Sequence, residues 1–293
     1  MSNRGMALLM IFLISALAAC SSTYEESTLQ EVQSIHHLEI DSKVLGRKMN
    51  VNVYVPQGYS KDSNMAILYV LHPKNGDENS ILTGQLDMGR RADKLIEQGE
   101  IDPIIIVAPE LHNSYGVNSA DTPGKKNEYD MGRYEDYFIQ EMLPEVESQF
   151  ANSAIAKEQR YIGGLSMGGY AALHYAFKYD GLFSKVGGHS AAVWREVPDY
   201  LSWLYKDKTN QVENDPVLLV SKGIGDDAMR IYLDHGAKEY KSIADGNRAL
   251  MEKLDEHKVT YVFKLNPGGH NKKYWASQMD NYLKFYAGTS EEN

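Results

Sequence analysis

The sequence predicts an α/β protein, with a mainly parallel central sheet and helices on both faces. Residues 66–71 (AILYVL) and 104–108 (IIIVA) are continuous apolar runs of strand length, as expected of strands covered on both sides. Tyr170, Leu173, His174 and Phe177 recur at i, i+3, i+4 and i+7, the period of a helix. Segments of the two kinds alternate along the chain, and helices that cross over between neighbouring strands make a sheet parallel.

Taken in order, the first 19 residues read as a signal peptide. Arg4 is the only charged residue before position 20, and residues 6–19 are apolar or small. That run is too short to span a bilayer, which takes about 20 apolar residues. It ends in Leu17-Ala18-Ala19-Cys20, which resembles a bacterial lipobox and implies cleavage before Cys20 and lipid on its sulfur. Cys20 is the only cysteine of the 293 residues, so no internal disulfide competes for it. Several acyl chains, each contributing about 0.8 kcal/mol per buried CH₂, hold firmly to a membrane. Ser21 follows, not Asp; in a Gram-negative host that resembles an outer-membrane sorting signal. Residues 20–33 are polar and acidic, a tether. Residues 34–293 then form one domain.

Within that domain, residues 49–55 (MNVNVYV) alternate and predict a half-buried strand. Residues 161–164, 185–188, 230–233 and 259–265 supply further strands. Helices are expected at 134–150, where Pro144 kinks or restarts the run, along the face of Ile243, Asn247, Leu250, Met251 and Leu254, and at 274–286. The net charge is −10. An acidic chain lacks the basic surface that gives nucleic-acid binders their affinity, so nucleic acid is not an expected partner.

Between a strand and a helix stands YIGGLSMGGY, with Gly164, Ser166 and Gly168 at every second position. Neither element favours these residues. A tight strand-to-helix turn does: it pushes the Ser166 hydroxyl out at the carboxyl edge of the sheet and crowds the residues on either side. Gly164 and Gly168 have no Cβ to clash there, and Gly169 lets the helix approach the sheet. The Met167 amide then points at the space before Ser166 and can donate to an oxyanion.

A serine nucleophile needs a base. Of the nine histidines, His174 lies on an apolar helix face, while His189 and His235 fall at strand ends. His270 follows Asn266-Pro267-Gly268-Gly269 directly after the last strand, on the edge where Ser166 is expected. The acid should follow the penultimate strand. Asp234 lies in or at the end of that strand. Glu239 lies three residues beyond Gly236 on the following loop, with reach toward His270. Glu239 is the preferred acid, Asp234 then being structural and capping turn amides. No His-Glu-x-x-His and no cysteine pair occurs, so no metal site is expected.

Gly164-Leu165-Ser166-Met167-Gly168-Gly169, Tyr134-Glu135-Asp136-Tyr137 with Leu143-Pro144, Tyr232-Leu233-Asp234-His235-Gly236 and Pro267-Gly268-Gly269-His270 together resemble the putative-esterase family of α/β-hydrolases. That family includes esterase D, feruloyl esterases, siderophore esterases and mycolyltransferases. The resemblance runs from about residue 36 to 287. It implies an α/β-hydrolase fold and a cofactor-free acyl-transfer enzyme with Ser166, His270 and an acid. Family members commonly carry Asp where this chain has Glu239. They often read His-Gly after the third strand, where this chain has His72-Pro73-Lys74-Asn75-Gly76. Pro73 has no N–H, so the Lys74 amide is the expected second oxyanion donor beside Met167.

Trp194, Tyr200, Trp203, Leu204 and Tyr205 cluster where such folds often carry a cap. They either wall an acyl or aryl group or pack locally. His72, Trp194, Trp203 and Tyr205 are the substrate-binding candidates, and residues 111–132 are expected to form the other rim. The expected substrate is an ester met outside the cytoplasm: an acylated or feruloylated sugar, a siderophore lactone or a lipid ester. An acyltransferase with the same triad and a non-catalytic lipoprotein on a hydrolase scaffold are the alternatives.

Overall fold

In the computed structural model, residues 34–152, 154–224 and 229–289 are described; the expected signal peptide, Cys20 and the tether lie outside them. The chain lays down β1 (Ser34–Ser42), β2 (Arg47–Val55), β3 (Ala66–Leu71), α1 (Met88–Glu97) and β4 (Ile104–Pro109). A small ribbon follows, β5 (Gly124–Lys126) and β6 (Tyr129–Met131), then α2 (Tyr134–Asp136) and α3 (Leu143–Phe150). Next come β7 (Arg160–Leu165), α4 (Met167–Lys178), β8 (Lys185–His189), α5 (Lys208–Asn214) and α6 (Pro216–Leu219). The last elements are β9 (Arg230–Lys238), α7 (Lys241–Glu256), β10 (Val262–Gly269) and α8 (Lys272–Ala287). Eight strands form one sheet in the order β1-β2-β4-β3-β7-β8-β9-β10. β1 and β2 enter antiparallel, and every pairing from β4 to β10 is parallel.

The apolar runs are explained by the two cores they feed. Along β3, Ile67, Tyr69 and Leu71 join one core, while Leu68 and Val70 join the other. A period-2 strand covered on both faces has no polar side to show. α1 and α8 cover the Leu68 face; α3, α4 and α7 cover the Tyr69 face. α4 is buried on nearly every side, not along one stripe, because α5 and α6 lie over it. Pro144 sits in the first turn of α3, and residues Tyr137–Met142 before it widen into a π-helix. Proline has no N–H to offer the turn behind it, and the wider helix absorbs the mismatch.

Two boundaries differ from expectation. β9 runs on through Gly236 to Lys238, so Asp234 is mid-strand. β10 begins at Val262 and continues through Asn266-Pro267-Gly268-Gly269, a stretch expected as loop. The register shifts between Asn266 and Gly269, a bulge on an edge strand where a proline costs no ladder bond. At that bulge a Cβ on Gly236 would stand 2.4 Å from the Gly268 backbone. The bare glycine therefore lets β9 and β10 cross closely.

Under α4 lies a buried charge cluster. Glu135 faces His174 Nε2 at 3.1 Å and Lys178 Nζ at 2.6 Å, and accepts from the Tyr179 hydroxyl. Burial pushes the Glu135 carboxyl up, but His174 and Lys178 outweigh it and hold the group down at about 2. A depressed carboxylate stabilises the fold above its unfolded value, near 4.5, and that contribution fades as pH falls toward 2. Glu135→Ala is therefore expected to cost about 3 kcal/mol at pH 7. The gap in Tm from wild type should narrow on acidification from pH 4.5, as followed by circular dichroism.

Candidate active site

β7 ends at Leu165 and α4 begins at Met167, so Ser166 alone makes the turn. Its backbone sits at φ 56°, ψ −111°, a conformation that costs a non-glycine residue roughly 1–3 kcal/mol. The strain is held by hydrogen bonds on both sides. The Ser166 amide donates to the His189 carbonyl at 2.9 Å, and the Ser166 carbonyl accepts from Tyr170 and Ala192 at 3.0 and 2.9 Å. A Cβ on Gly164 would fall 2.3 Å from the Gly168 backbone, and one on Gly168 would fall 2.1 Å from the Leu71 carbonyl oxygen. The crowding is thus between the two glycines and also between α4 and the end of β3. Gly168→Ala is expected to destabilise by about 3 kcal/mol or more in urea unfolding, because the opposing atoms are backbone and cannot yield. It should also lower kcat/KM by roughly 10²-fold by displacing the turn.

From the far end of the chain, His270 brings Nε2 to 2.7 Å from Ser166 Oγ. Its Nδ1 stands 2.9 Å from Oε1 of Glu239, whose side chain is 1% exposed. The carboxylate lies off the axis of the Nδ1–H, so this is a close polar contact rather than a straight hydrogen bond. A turn sets Glu239 in place: its amide donates to the Gly236 carbonyl at 3.1 Å, and the Tyr240 amide donates to its Oε1 at 2.7 Å. Burial pushes the Glu239 carboxyl up, but His270, the Tyr240 amide and the Ser190 hydroxyl together draw it below its ordinary value. Glu239 is therefore an anion beside His270 at neutral pH. It can hold one imidazole tautomer and stabilise the imidazolium.

Asp234 has another role, and not the expected one of capping turn amides. It is fully buried, 2.8 Å from His189 Nδ1, and accepts from the hydroxyls of Tyr282 at 2.8 Å and of Tyr274. The His189 ring stacks on Tyr282 at 3.6 Å, and its Nε2 lies 3.1 Å from the Tyr286 hydroxyl. This polar knot ties β8 and β9 to α8.

As the first residue of α4, Met167 presents an amide with no carbonyl four residues back to receive it. Lys74 lies in a turn closed by the Gly76 amide on the Pro73 carbonyl at 2.9 Å, and the Asn75 amide goes to Asn113 Oδ1 at 2.7 Å. Neither bond uses the Lys74 amide. A Cβ on Gly168 would also stand 2.8 Å from the His72 carbonyl oxygen, so this turn lies beside the start of α4. The Lys74 ammonium points elsewhere, 2.8 Å from Glu128 and 4.5 Å above the Tyr129 ring.

Of the substrate-binding candidates, His72 is placed differently from expectation, and Trp194, Trp203 and Tyr205 take one of the two readings left open for them. His72 is buried with both ring nitrogens occupied: Nδ1 lies 2.9 Å from the Pro73 carbonyl, and Nε2 accepts from the Leu111 amide at 3.0 Å. It braces the loops and leaves no ring nitrogen for a substrate. Trp194 and Trp203 are buried in an aromatic cluster with Tyr115, Tyr129 and Tyr170, at centroid distances of 5.1–6.3 Å. The Tyr205 hydroxyl is 2.5 Å from that of Tyr170. Local packing is thus the reading the structure supports for this group. The rings that do flank His270 are Tyr240 at 5.3 Å and Trp275 at 5.2 Å. Sequence reading passed over both, although Tyr240 directly follows the expected acid.

A serine on a strained strand-to-helix turn, with histidine and carboxylate delivered from the ends of later parallel strands, defines the class as an α/β-hydrolase. The family described as "Putative esterase" matches residues 42–286, and the chain belongs to that family. It is similar to endo-1,4-beta-xylanase Y of Acetivibrio thermocellus, at 30% identity over 41% of this chain and 11% of that protein. It is also similar to an acetyl esterase of Caldicellulosiruptor saccharolyticus, at 22% identity over 88% of this chain and the whole of that one. A solved ferulic acid esterase matches at a TM-score of 0.73 and 23% identity, over 87% of this chain and 98% of that one. The chain spans 11–31% of the length of three of the curated relatives it matches.

Proposed function

We propose that the protein is a serine carboxylic-ester hydrolase that works through an acyl-enzyme on an ester carried by a saccharide outside the cytoplasm. The observation that carries this is the 2.7 Å contact between His270 Nε2 and a serine hydroxyl held in a strained turn. His270 takes the proton of Ser166 as Oγ attacks the ester carbonyl. The amides of Met167 and Lys74 hold the oxyanion. The tetrahedral intermediate collapses, the C–O bond to the alcohol breaks, and His270 returns its proton to the leaving oxygen. Water then attacks the acyl-enzyme with the same histidine as base, releasing the acid and restoring Ser166.

Support for a saccharide ester comes from relatives whose names speak of acetyl, ferulic acid and xylan chemistry. The N-terminal sequence supports export: Arg4, the apolar run 6–19 and Cys20 suit cleavage, lipidation and a place on the outer membrane, with 20–33 as tether. The test is turnover of acetyl-sugar, feruloyl, siderophore and short aryl esters, together with fluorophosphonate labelling of Ser166. Hydrolysis of acetyl-sugar or feruloyl esters with Ser166 labelled is expected; no labelling of folded protein would overturn the reading.

A further inference from the structure

We propose that the outer face of Tyr240 is the subsite for the alcohol half of the ester, and that this alcohol is a sugar ring. The proposal rests on the ester-hydrolase reading and specifies its leaving group. Tyr240 is 62% exposed, although it follows directly on a buried carboxylate. Its ring lies 5.3 Å from that of His270, tilted by 39°. On another side of the imidazole, Trp275 is buried and meets it edge-on at 5.2 Å. The imidazole therefore has a buried indole and an exposed phenol as neighbours. The Tyr240 amide is bonded to Glu239 Oε1, so its backbone keeps register with the acid.

Chemistry places the alcohol here. The leaving oxygen must depart within reach of His270 Nε2, the nitrogen that reprotonates it. An alcohol larger than methanol or ethanol then extends past the imidazole, where the exposed aromatic surface next to His270 is Tyr240. The face of an aromatic ring carries negative charge density, which suits the C–H-lined face of a pyranose. An alkyl chain would need a contiguous apolar surface. The sequence neighbours of Tyr240 and His270 include Lys238, Asn271 and Lys272, exposed polar residues with N–H groups that can donate to hydroxyls.

The test compares two acetyl esters that differ only in the alcohol: an acetylated xylo-oligosaccharide and ethyl acetate. In Tyr240→Ala the ratio of kcat/KM, sugar ester over ethyl ester, should fall about tenfold, through KM. In Tyr240→Phe the ratio should hold, since the ring face and not the hydroxyl makes the contact. An unchanged ratio in Tyr240→Ala, or equal losses on both esters, would overturn the proposal; equal losses would mean that the ring only steadies His270. A second readout needs no turnover. Saturation-transfer NMR on Ser166→Ala should show contact with the C–H groups of the deacetylated xylo-oligosaccharide, and that contact should be lost on adding Tyr240→Ala. If fluorophosphonate fails to label Ser166 in folded wild type, the hydrolase reading fails, and the NMR arm still decides the subsite.

Discussion

Ser166→Ala is expected to lower kcat on a short activated ester by roughly 10⁴–10⁶-fold, and to abolish fluorophosphonate labelling. The size follows from what the hydroxyl does in the proposed cycle. It forms the bond to the acyl group, and nothing else sits 2.7 Å from His270 Nε2 to replace it among the described residues. Residual turnover would come from the oxyanion donors and from His270 acting on water. Ser166→Gly sharpens the test. The position lies at φ 56°, where glycine is at ease and a side chain is strained. The glycine variant should be equally inactive yet about 1 kcal/mol more stable than Ser166→Ala in urea unfolding. Glycine more stable than alanine at a position whose side chain carries the chemistry would show that the turn is kept strained to present the hydroxyl. A serine that merely decorated a turn would show neither the kinetic loss nor the labelling.

What could be read in the sequence follows a physical rule: local constraints were visible and convergent ones were not. The Gly164-Leu165-Ser166-Met167-Gly168 turn is written in residues next to each other, and its crowding against the chain is seen in the close approaches at Gly164 and Gly168. His270 was found because its place after the last strand is a local fact. The reach of Glu239 was a guess about a loop, and the structure brings its carboxylate to the imidazole. The loop before His270 proved to be strand with a bulge, since a Pro-Gly-Gly run carries no mark of the β9 register that accommodates it. The aromatics after β8 were legible as a cluster, but not the burial of Trp194 and Trp203. What covers Trp194 and Trp203 is Tyr115, Tyr129 and Tyr170, distant in sequence. His72 misled for the same reason, because its nitrogens are taken by Pro73 and by Leu111, a residue thirty-nine positions on.

Glu239→Gln and Asp234→Asn should fail in different currencies. Glu239→Gln keeps the shape of the side chain and removes its charge. Oε1 faces His270 Nδ1 at 2.9 Å, and an amide there either withholds the negative charge that stabilises the imidazolium or turns its NH₂ toward the ring and favours the wrong tautomer. A loss of roughly 10³–10⁴-fold in kcat/KM follows, with little change in the urea midpoint. Asp234 touches neither Ser166 nor the imidazole of His270 in any bond described. It satisfies His189, Tyr274 and Tyr282 in a fully buried site. Asparagine at 234 would keep one acceptor oxygen and set an NH₂ against a donor, leaving buried groups unpaired. The expected cost is about 2–4 kcal/mol of stability, with the smaller kinetic loss of the two. If Asp234→Asn instead removes more activity than Glu239→Gln while both proteins stay folded, the acid has been misassigned. The imidazole would then have to turn away from Glu239 during turnover, a movement that the buried ring of Trp275, packed edge-on against it, stands against.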